Sequence, residues 1–319
     1  MKRNREIVED LFQVFSKNLA LIASNVDGDE FICPLCGDGF DRDCLNDGLL
    51  TLEHLVPESV GGRVTTLACK RCNSGFGSDV DHHLAARVRD REFYAGVSQR
   101  AKRVRLQPLG GEFAVNAELR LDRSNSFNFF ALPEEHQRPG ALEMMDAYLA
   151  SGEVTLNFKL SHNGDPTRST LALLRAAHLA LFHVCGYRYL LDPAGTSTVA
   201  HLQAWKANPE GAALAVQRMD GVTFADEPFV IMMGKVPGVG WAHLVGLTYG
   251  EATKHRSLAM IPPLGEGDPD FWERVKRNAV PGKIDLKVMD RSPRSWLTLN
   301  AKSARSLEWT WNALRRGEA

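Results

Sequence analysis

Two Cys-x-x-Cys pairs limit what this chain can fold into more sharply than any other feature. Cys33-Pro34-Leu35-Cys36 and Cys69-Lys70-Arg71-Cys72 each place two sulfurs on one tight turn, with residues 37–68 between them. Tetrahedral zinc takes four such ligands at about 2.3 Å and is then closed to water. One pair alone would suit a redox motif. Two pairs with polar, glycine-containing flanks (Gly37, Asp38, Gly39; Asn73, Ser74, Gly75) favour structural zinc instead. The separation is longer than that of a simple zinc ribbon, so the enclosed segment must carry structure of its own.

That segment reads as strand, loop, strand. Thr51 to Pro57 alternates like a short strand around the pair Glu53-His54, and Pro57 ends its pairing. Gly61-Gly62 permits a sharp reversal that side chains would hinder. Thr65-Thr66-Leu67 follows as a second strand and feeds the second cysteine pair. Ser78 is expected to cap a helix that starts near Asp79 and runs through Leu84, Ala85 and Ala86 toward Arg89. Asp81 would complete a Ser78-x-x-Asp81 capping arrangement. A Glu-His pair on a strand is more often a surface pair than a catalytic one, but the cysteines, Pro57, the glycines and Asn73 around this one reverse that judgement. His82-His83 reads as a solvated or partly packed pair inside the helix.

The order Cys-x-x-Cys, Glu-His-x-x-Pro, Gly-Gly, Cys-x-x-Cys-Asn, Gly-Ser-x-x-Asp resembles the zinc-containing branch of the HNH endonucleases over residues 31–87. The resemblance implies a treble-clef-like ββα-metal fold and phosphodiester hydrolysis. His54 then corresponds to the general base that takes a proton from the attacking water, a task suited to an imidazole. Glu53 and Asn73 correspond to the ligands of one divalent ion, Mg²⁺ or Mn²⁺, distinct from the structural Zn²⁺; oxygen donors favour that choice. The middle Asn of the family pattern is missing. Val64 stands there, and Thr65 or Thr66 is expected to orient the base in its place.

The formal net charge is −1, so any phosphate binding has to come from clustered rather than total charge. Seven basic residues (Arg87, Arg89, Arg91, Arg100, Lys102, Arg103, Arg105) stand against Asp90 and Glu92, a local excess of five. Arg63, Lys70, Arg71, Arg87, Arg89, Arg100, Lys102 and Arg103 are the candidate nucleic-acid contacts, with a solvated charged face as the plain alternative. Cys44 and Cys185 lie outside the zinc set, and the cysteine usage fits a reducing cytoplasm. Neither a signal peptide nor an apolar run near twenty residues is found, so a membrane partner is not expected.

Outside the motif the patterns are those of a mixed domain. Ile7, Val8, Leu11, Phe12, Phe15, Leu19 and Ile22 mark an amphipathic helix before the first cysteine pair. Val104 to Leu106, Glu112 to Leu121, Phe127 to Leu132, Val154 to Leu160, Phe229 to Met233 and Ala242 to Thr248 are strand-like. Asp165-Pro166 opens an apolar helix that Gly186 stops, with His178 and His183 packed on it. Ser197 to Asn208 and Phe271 to Asn278 read as helices, and Gly234 to Gly240 as a loop between strands.

The expected fold class is therefore α+β. Residues 1–28 form the leading helix, residues 29–92 the nuclease module with its zinc, and residues 93–319 a larger mixed α+β domain for recognition or regulation. The expected function is metal-dependent cleavage of DNA; a restriction, mobile-element or anti-phage setting is implied by the resemblance alone. One alternative is a zinc-stapled module that binds nucleic acid or protein with a decayed active site. Another is a nuclease released by a partner protein or small-molecule signal at the C-terminal domain. A homodimer would suit double-strand cutting by a single-site enzyme.

Overall fold

The structure is a computed structural model that describes residues 2–23, 28–97, 101–122, 124, 126–152, 154–159, 164–209, 215–218, 227–265, 267–278 and 285–287. Helix α1 (Lys2–Ile22) buries Phe12, Phe15 and Leu19 at the three- and four-residue spacing of its apolar stripe. Strands β1 (Glu30–Ile32) and β2 (Gly39–Asp41) form a small antiparallel ladder, as do β3 (Leu50–His54) and β4 (Thr65–Cys69). Helix α2 (Lys70–Phe76) leads through a π-helical turn at residues 77–81 into α3 (His82–Tyr94). Strands β5 (Lys102–Pro108), β6 (Val115–Leu121), β7 (Phe127–Ala131) and β8 (Leu156–Phe158) make an antiparallel sheet in the order β7-β6-β5-β8, with α4 (Ala141–Ala150) between β7 and β8 in the chain. There follow α5 (Pro166–Cys185), α6 (Tyr187–Leu190) and α7 (Pro193–Ala207). The last elements are β9 (Val216–Arg218), β10 (Phe229–Val236), β11 (Gly240–Tyr249), β12 (His255–Ile261), α8 (Phe271–Asn278) and β13 (Asp285–Lys287).

By contact the chain falls into two compact units, residues 1–85 with 164–319, and residues 86–163. The boundary at 92/93 drawn from the sequence divides the chain by motif, whereas these units divide it by packing. No helix among the described residues is long and apolar enough to cross a membrane.

The larger unit is built around α5. Asp165 accepts from the amides of Thr167 and Arg168 at 2.8 and 2.9 Å, and Pro166 takes the first turn, where its missing N–H costs nothing. Gly186 ends the helix at φ 58°, where a Cβ would lie 2.2 Å from Asn18 Oδ1. The helix is buried nearly all round and packs on β11 and β12 of the antiparallel sheet β13-β10-β11-β12-β9. Beneath it, Phe15, Phe31, Phe182 and Tyr187 form an aromatic cluster in which Phe15 and Phe182 stack at 4.5 Å. The Tyr187 hydroxyl accepts from Ile32 N at 2.7 Å and donates to Ile32 O at 3.0 Å, pinning β1 to this core. Gly234 lies inside β10 opposite Ala242, so the expected loop shrinks to the turn between Val236 and Gly240.

In the smaller unit the pleat sends Val104, Leu106, Ala117 and Leu119 to one face of the sheet, where Phe93 of α3 and Met145 of α4 cover them. The alternation along β5 is complete: Arg103, Arg105 and Gln107 are exposed on the other face.

The loop between β3 and β4 depends on its glycines. Gly61 adopts φ 83°, and a Cβ on Gly62 would sit 1.7 Å from the Val56 carbonyl oxygen. Gly62→Ala is therefore expected to lower stability by about 3 kcal/mol or more in urea unfolding, while Gly39→Ala, which meets nothing within 4 Å, changes it by about 0.5 kcal/mol or less.

Candidate active site and metal centre

The four cysteines come together as spacing suggests. Cys33 and Cys36 sit on the turn between β1 and β2, closed by Cys33 N to Asp38 O and Gly37 N to Cys33 O, both 2.9 Å, with Gly37 at φ 76°. Cys69 ends β4 and Cys72 lies in the first turn of α2. Their sulfurs lie within 4.8 Å of one another, and Cys36 Sγ is 3.9 Å from Cys69 Sγ. A tetrahedron with sulfurs about 2.3 Å from zinc has edges of about 3.8 Å, so this donor set fits the ion. Backbone amides of Cys69 and Cys72 point at sulfurs of Cys33 and Cys69 at 3.4 Å, an arrangement that favours thiolates. Among the described residues this is the one group of three or more His, Cys, Asp or Glu that could hold a metal.

Cys69 has a second local role. Its sulfur accepts from Cys72 N and caps α2, a helix ahead of the one expected from near Asp79, which is α3 after the π turn. Ser78 does not cap it; its hydroxyl donates to Gly75 O and to Asp79 Oδ1. The result is a ββα unit of β3, β4 and α2, extended by the π turn.

Antiparallel pairing fixes how the candidate residues face. His54 is opposite Thr65, and Glu53 is opposite Thr66. Opposite residues share a face, and neighbours on one strand take opposite faces. Thr65 therefore stands on the side of His54, both half-buried, whereas Thr66 shares the buried side of Glu53 and its hydroxyl has no partner among the described residues. Of the two threonines expected to support the base, the register leaves Thr65. Asn73, on α2, donates its amide nitrogen to Thr51 Oγ1 at 3.0 Å and to Leu52 O at 2.8 Å. These bonds hold it against the strand that carries Glu53 and His54. No partner is found for its amide oxygen among the described residues.

Glu53 is 3% exposed and leads to a residue outside the motif. Its Oε1 pairs with Arg175 Nη1 of α5, and Arg175 Nη2 reaches both carboxylate oxygens of Asp81 at 2.9 Å. Asp81 thus belongs to this ion network rather than to a helix cap. Burial pushes both carboxyls above the ordinary range, and the guanidinium pulls against that shift. Two carboxylates around one guanidinium leave an excess of one negative charge when all are ionised, and Glu53 Oε2 is buried with no partner among the described residues. Phe76 of α2 lies over the guanidinium at 5.7 Å. Sequence reading missed Arg175, although it is the lone charge in the apolar stretch Leu171 to Phe182. A buried Arg at such a position requires a carboxylate partner.

The remaining candidates separate by exposure. Arg63, Lys70, Arg71, Arg89 and Arg103 are exposed and Arg87 is half-buried; Arg71 also pairs with Asp38. Lys102 is turned inward, with Nζ 2.6 Å from Asp90 Oδ1 and close to the rings of Phe93 and Tyr94. Arg100 lies outside the described residues. The His82 and His83 rings lie 3.8 Å apart between centroids, tilted at 39°, and His83 Nδ1 accepts from Asp165 N. His178 is fully buried, its pKa pushed down to about 4 by burial. Its Nε2 must donate to Pro34 O, an acceptor only, so Nδ1 accepts from the Tyr189 hydroxyl, each at 2.7 Å. That neutral imidazole ties α5 to the first cysteine turn.

Two outcomes follow from this geometry. Purified protein should contain one zinc per chain by atomic absorption, and Cys69→Ser should lose it together with about 10 °C or more of melting temperature. Arg175→Met should cost about 3–5 kcal/mol in urea unfolding by stranding two buried carboxylates, and adding Glu53→Gln with Asp81→Asn should recover part of that loss.

Residues 33–88 match the family described as HNH endonuclease. No curated protein and no solved structure matches the chain. The ββα unit with its four-cysteine cluster is an HNH endonuclease domain, carried in a chain of mixed α and β structure.

Proposed function

We propose that the chain hydrolyses phosphodiester bonds of DNA, with His54 as general base. The observation that carries this reading is the convergence on β3: His54 on the half-buried face beside Thr65, and Asn73 clamped against the same strand with its amide oxygen unengaged. His54 would take a proton from a water as that water attacks phosphorus; the phosphorus–oxygen bond on the far side breaks, and the departing oxygen leaves as the alkoxide or its protonated form. Thr65, rather than an Asn at position 64, would orient the imidazole.

Glu53 and Asn73 would hold the divalent ion. Hard oxygen donors suit Mg²⁺ or Mn²⁺, and the unpartnered Glu53 Oε2 in a network short of one positive charge fits a cation. Such an ion polarises the phosphate and stabilises the leaving oxygen. Arg175 would then be a positioning residue, holding Glu53 through its other oxygen. The zinc held by Cys33, Cys36, Cys69 and Cys72 would remain structural. Six cysteines without a disulfide among them support a reducing, cytoplasmic setting. A defence or mobile-element role is the setting that the family resemblance suggests.

A second reading rests on the depth of Glu53. Arg175 already pairs with it away from solvent, so the module would be a zinc-stapled scaffold that binds without cutting. Incubation with plasmid and Mg²⁺ or Mn²⁺ separates the two. Nicking by the wild-type chain, slowed about 100-fold or more in His54→Ala and in Asn73→Ala, is the expected result. Equal nicking by wild type and His54→Ala removes His54 from the mechanism, and no nicking by either favours the scaffold.

A further inference from the structure

The sheet of residues 86–163 has one face covered by helices and one face open to solvent. On the open face the register sets Arg105 opposite Asn116, Arg103 opposite Glu118, and Glu118 opposite Phe130. Phe158 pairs with Leu106, so Lys159, next along the chain, stands across from Arg105. Arg120 lies two residues beyond Glu118 on the same face and spends its charge on it at 3.4 Å. Arg103, Arg105 and Lys159 are exposed and have no ion-pair partner among the described residues. Together with Asn116 and His136 they line a hollow of about 420 Å³.

Two apolar groups interrupt this face, the half-buried Leu132 at the hollow and the barer Phe130. Phe130 is 51% exposed, and the Arg120 guanidinium lies 5.0 Å from its ring centroid. A solvated sheet face gains nothing from a half-bare aromatic ring or from three uncompensated cations. Arg103 and Arg105 are about 7 Å apart along their strand, a spacing comparable to successive phosphates of an extended single strand.

We propose that this face binds single-stranded nucleic acid. Arg103, Arg105 and Lys159 neutralise backbone phosphates, and Phe130, backed by Arg120, stacks a base. A duplex keeps its bases stacked on one another and offers Phe130 no ring. The proposal names a substrate class for the nuclease read above and rests on that reading for its use, but binding is measurable without cleavage.

The test uses the full chain carrying His54→Ala without added divalent ion, and reads fluorescence anisotropy of a labelled mixed-sequence oligonucleotide, single-stranded or annealed. The single strand is expected to bind more tightly than the duplex. Arg103→Gln with Arg105→Gln should weaken it about 10-fold or more and reduce the slope of log affinity against log salt by about 1.4, the value for two single-strand phosphates. Phe130→Ala should weaken it about 5-fold or more with the salt slope unchanged. Unaltered melting temperatures verify the fold of these surface variants. Single-strand affinity unchanged in both variants overturns the proposal, as does duplex binding of equal strength that Phe130→Ala leaves untouched. Cleavage of circular single-stranded DNA by the wild-type chain with Mg²⁺ or Mn²⁺ is scored separately: if it is absent while the sheet variants lose binding, only the nuclease reading fails, and if it is present while they bind as before, only the sheet proposal fails.

Discussion

The guanidinium of Arg175 is the point on which the HNH domain and the helical core of its unit depend. It is fully buried on α5, and its two carboxylate partners come from β3 and from the π turn after α2. A lone guanidinium in that core would be several kcal/mol too costly, and so would either carboxylate. The three can be buried only together, so α5 fixes the strand that carries Glu53 and His54. The same helix adds a second tie through His178 to Pro34, and α7 a third through Gln203 Nε2 to Leu35 O at 2.6 Å. The cysteine turns are thus held from outside by hydrogen bonds as well as from inside by their sulfurs. Electrostatic ties of this kind add orientation more than net stability.

This dependence explains why the domain does not stand apart from the rest. An isolated ββα unit of short strands has little apolar surface to bury and relies on metal or neighbours. Here Tyr187 takes both backbone groups of Ile32, and Gly250 donates to Val60 O at 2.7 Å behind the glycine loop. Residues far along the chain complete the packing of the first 85. Patterns in sequence are local, and nothing in the spacing of apolar residues announces that α5 and the sheet of β9 to β13 would join the leading segment.

What the sequence did disclose was whatever short-range chemistry dictates. The cysteine spacing announces a four-sulfur cluster, Gly61-Gly62 a tight reversal, and Asp165-Pro166 with Gly186 both ends of α5. The helix expected from near Asp79 is α3, whereas α2 ahead of it has no cue in the sequence, because its cap is a sulfur of the metal cluster and Gly75 argues against a helix by propensity. Strand β12 was missed because Ser257 to Ile261 is buried on both faces, and a short apolar run without alternation reads equally as helix or strand. Only its pairing with β11 decides. Arg175 went unremarked because periodicity weighs a lone charge against many apolar neighbours and the neighbours win, although burial cost makes that charge the most informative residue on the helix.

The two metal chemistries expected of the domain are kept apart by donor type rather than by distance. Four thiolates satisfy zinc completely and leave no position for water or substrate, so that ion can staple but not react. An amide oxygen and a carboxylate oxygen are hard donors that fill only part of an octahedral shell and leave the rest to water and phosphate. Arg175 sharpens the difference. It engages one oxygen of Glu53, so in the proposed site the other oxygen would be the one that meets the ion. A chelating carboxylate would hold the cation more tightly but take a coordination position that the phosphate requires. In the proposed site the buried guanidinium, shielded from competing water, would keep Glu53 aligned through one oxygen while the ion's remaining positions stay open to water and phosphate.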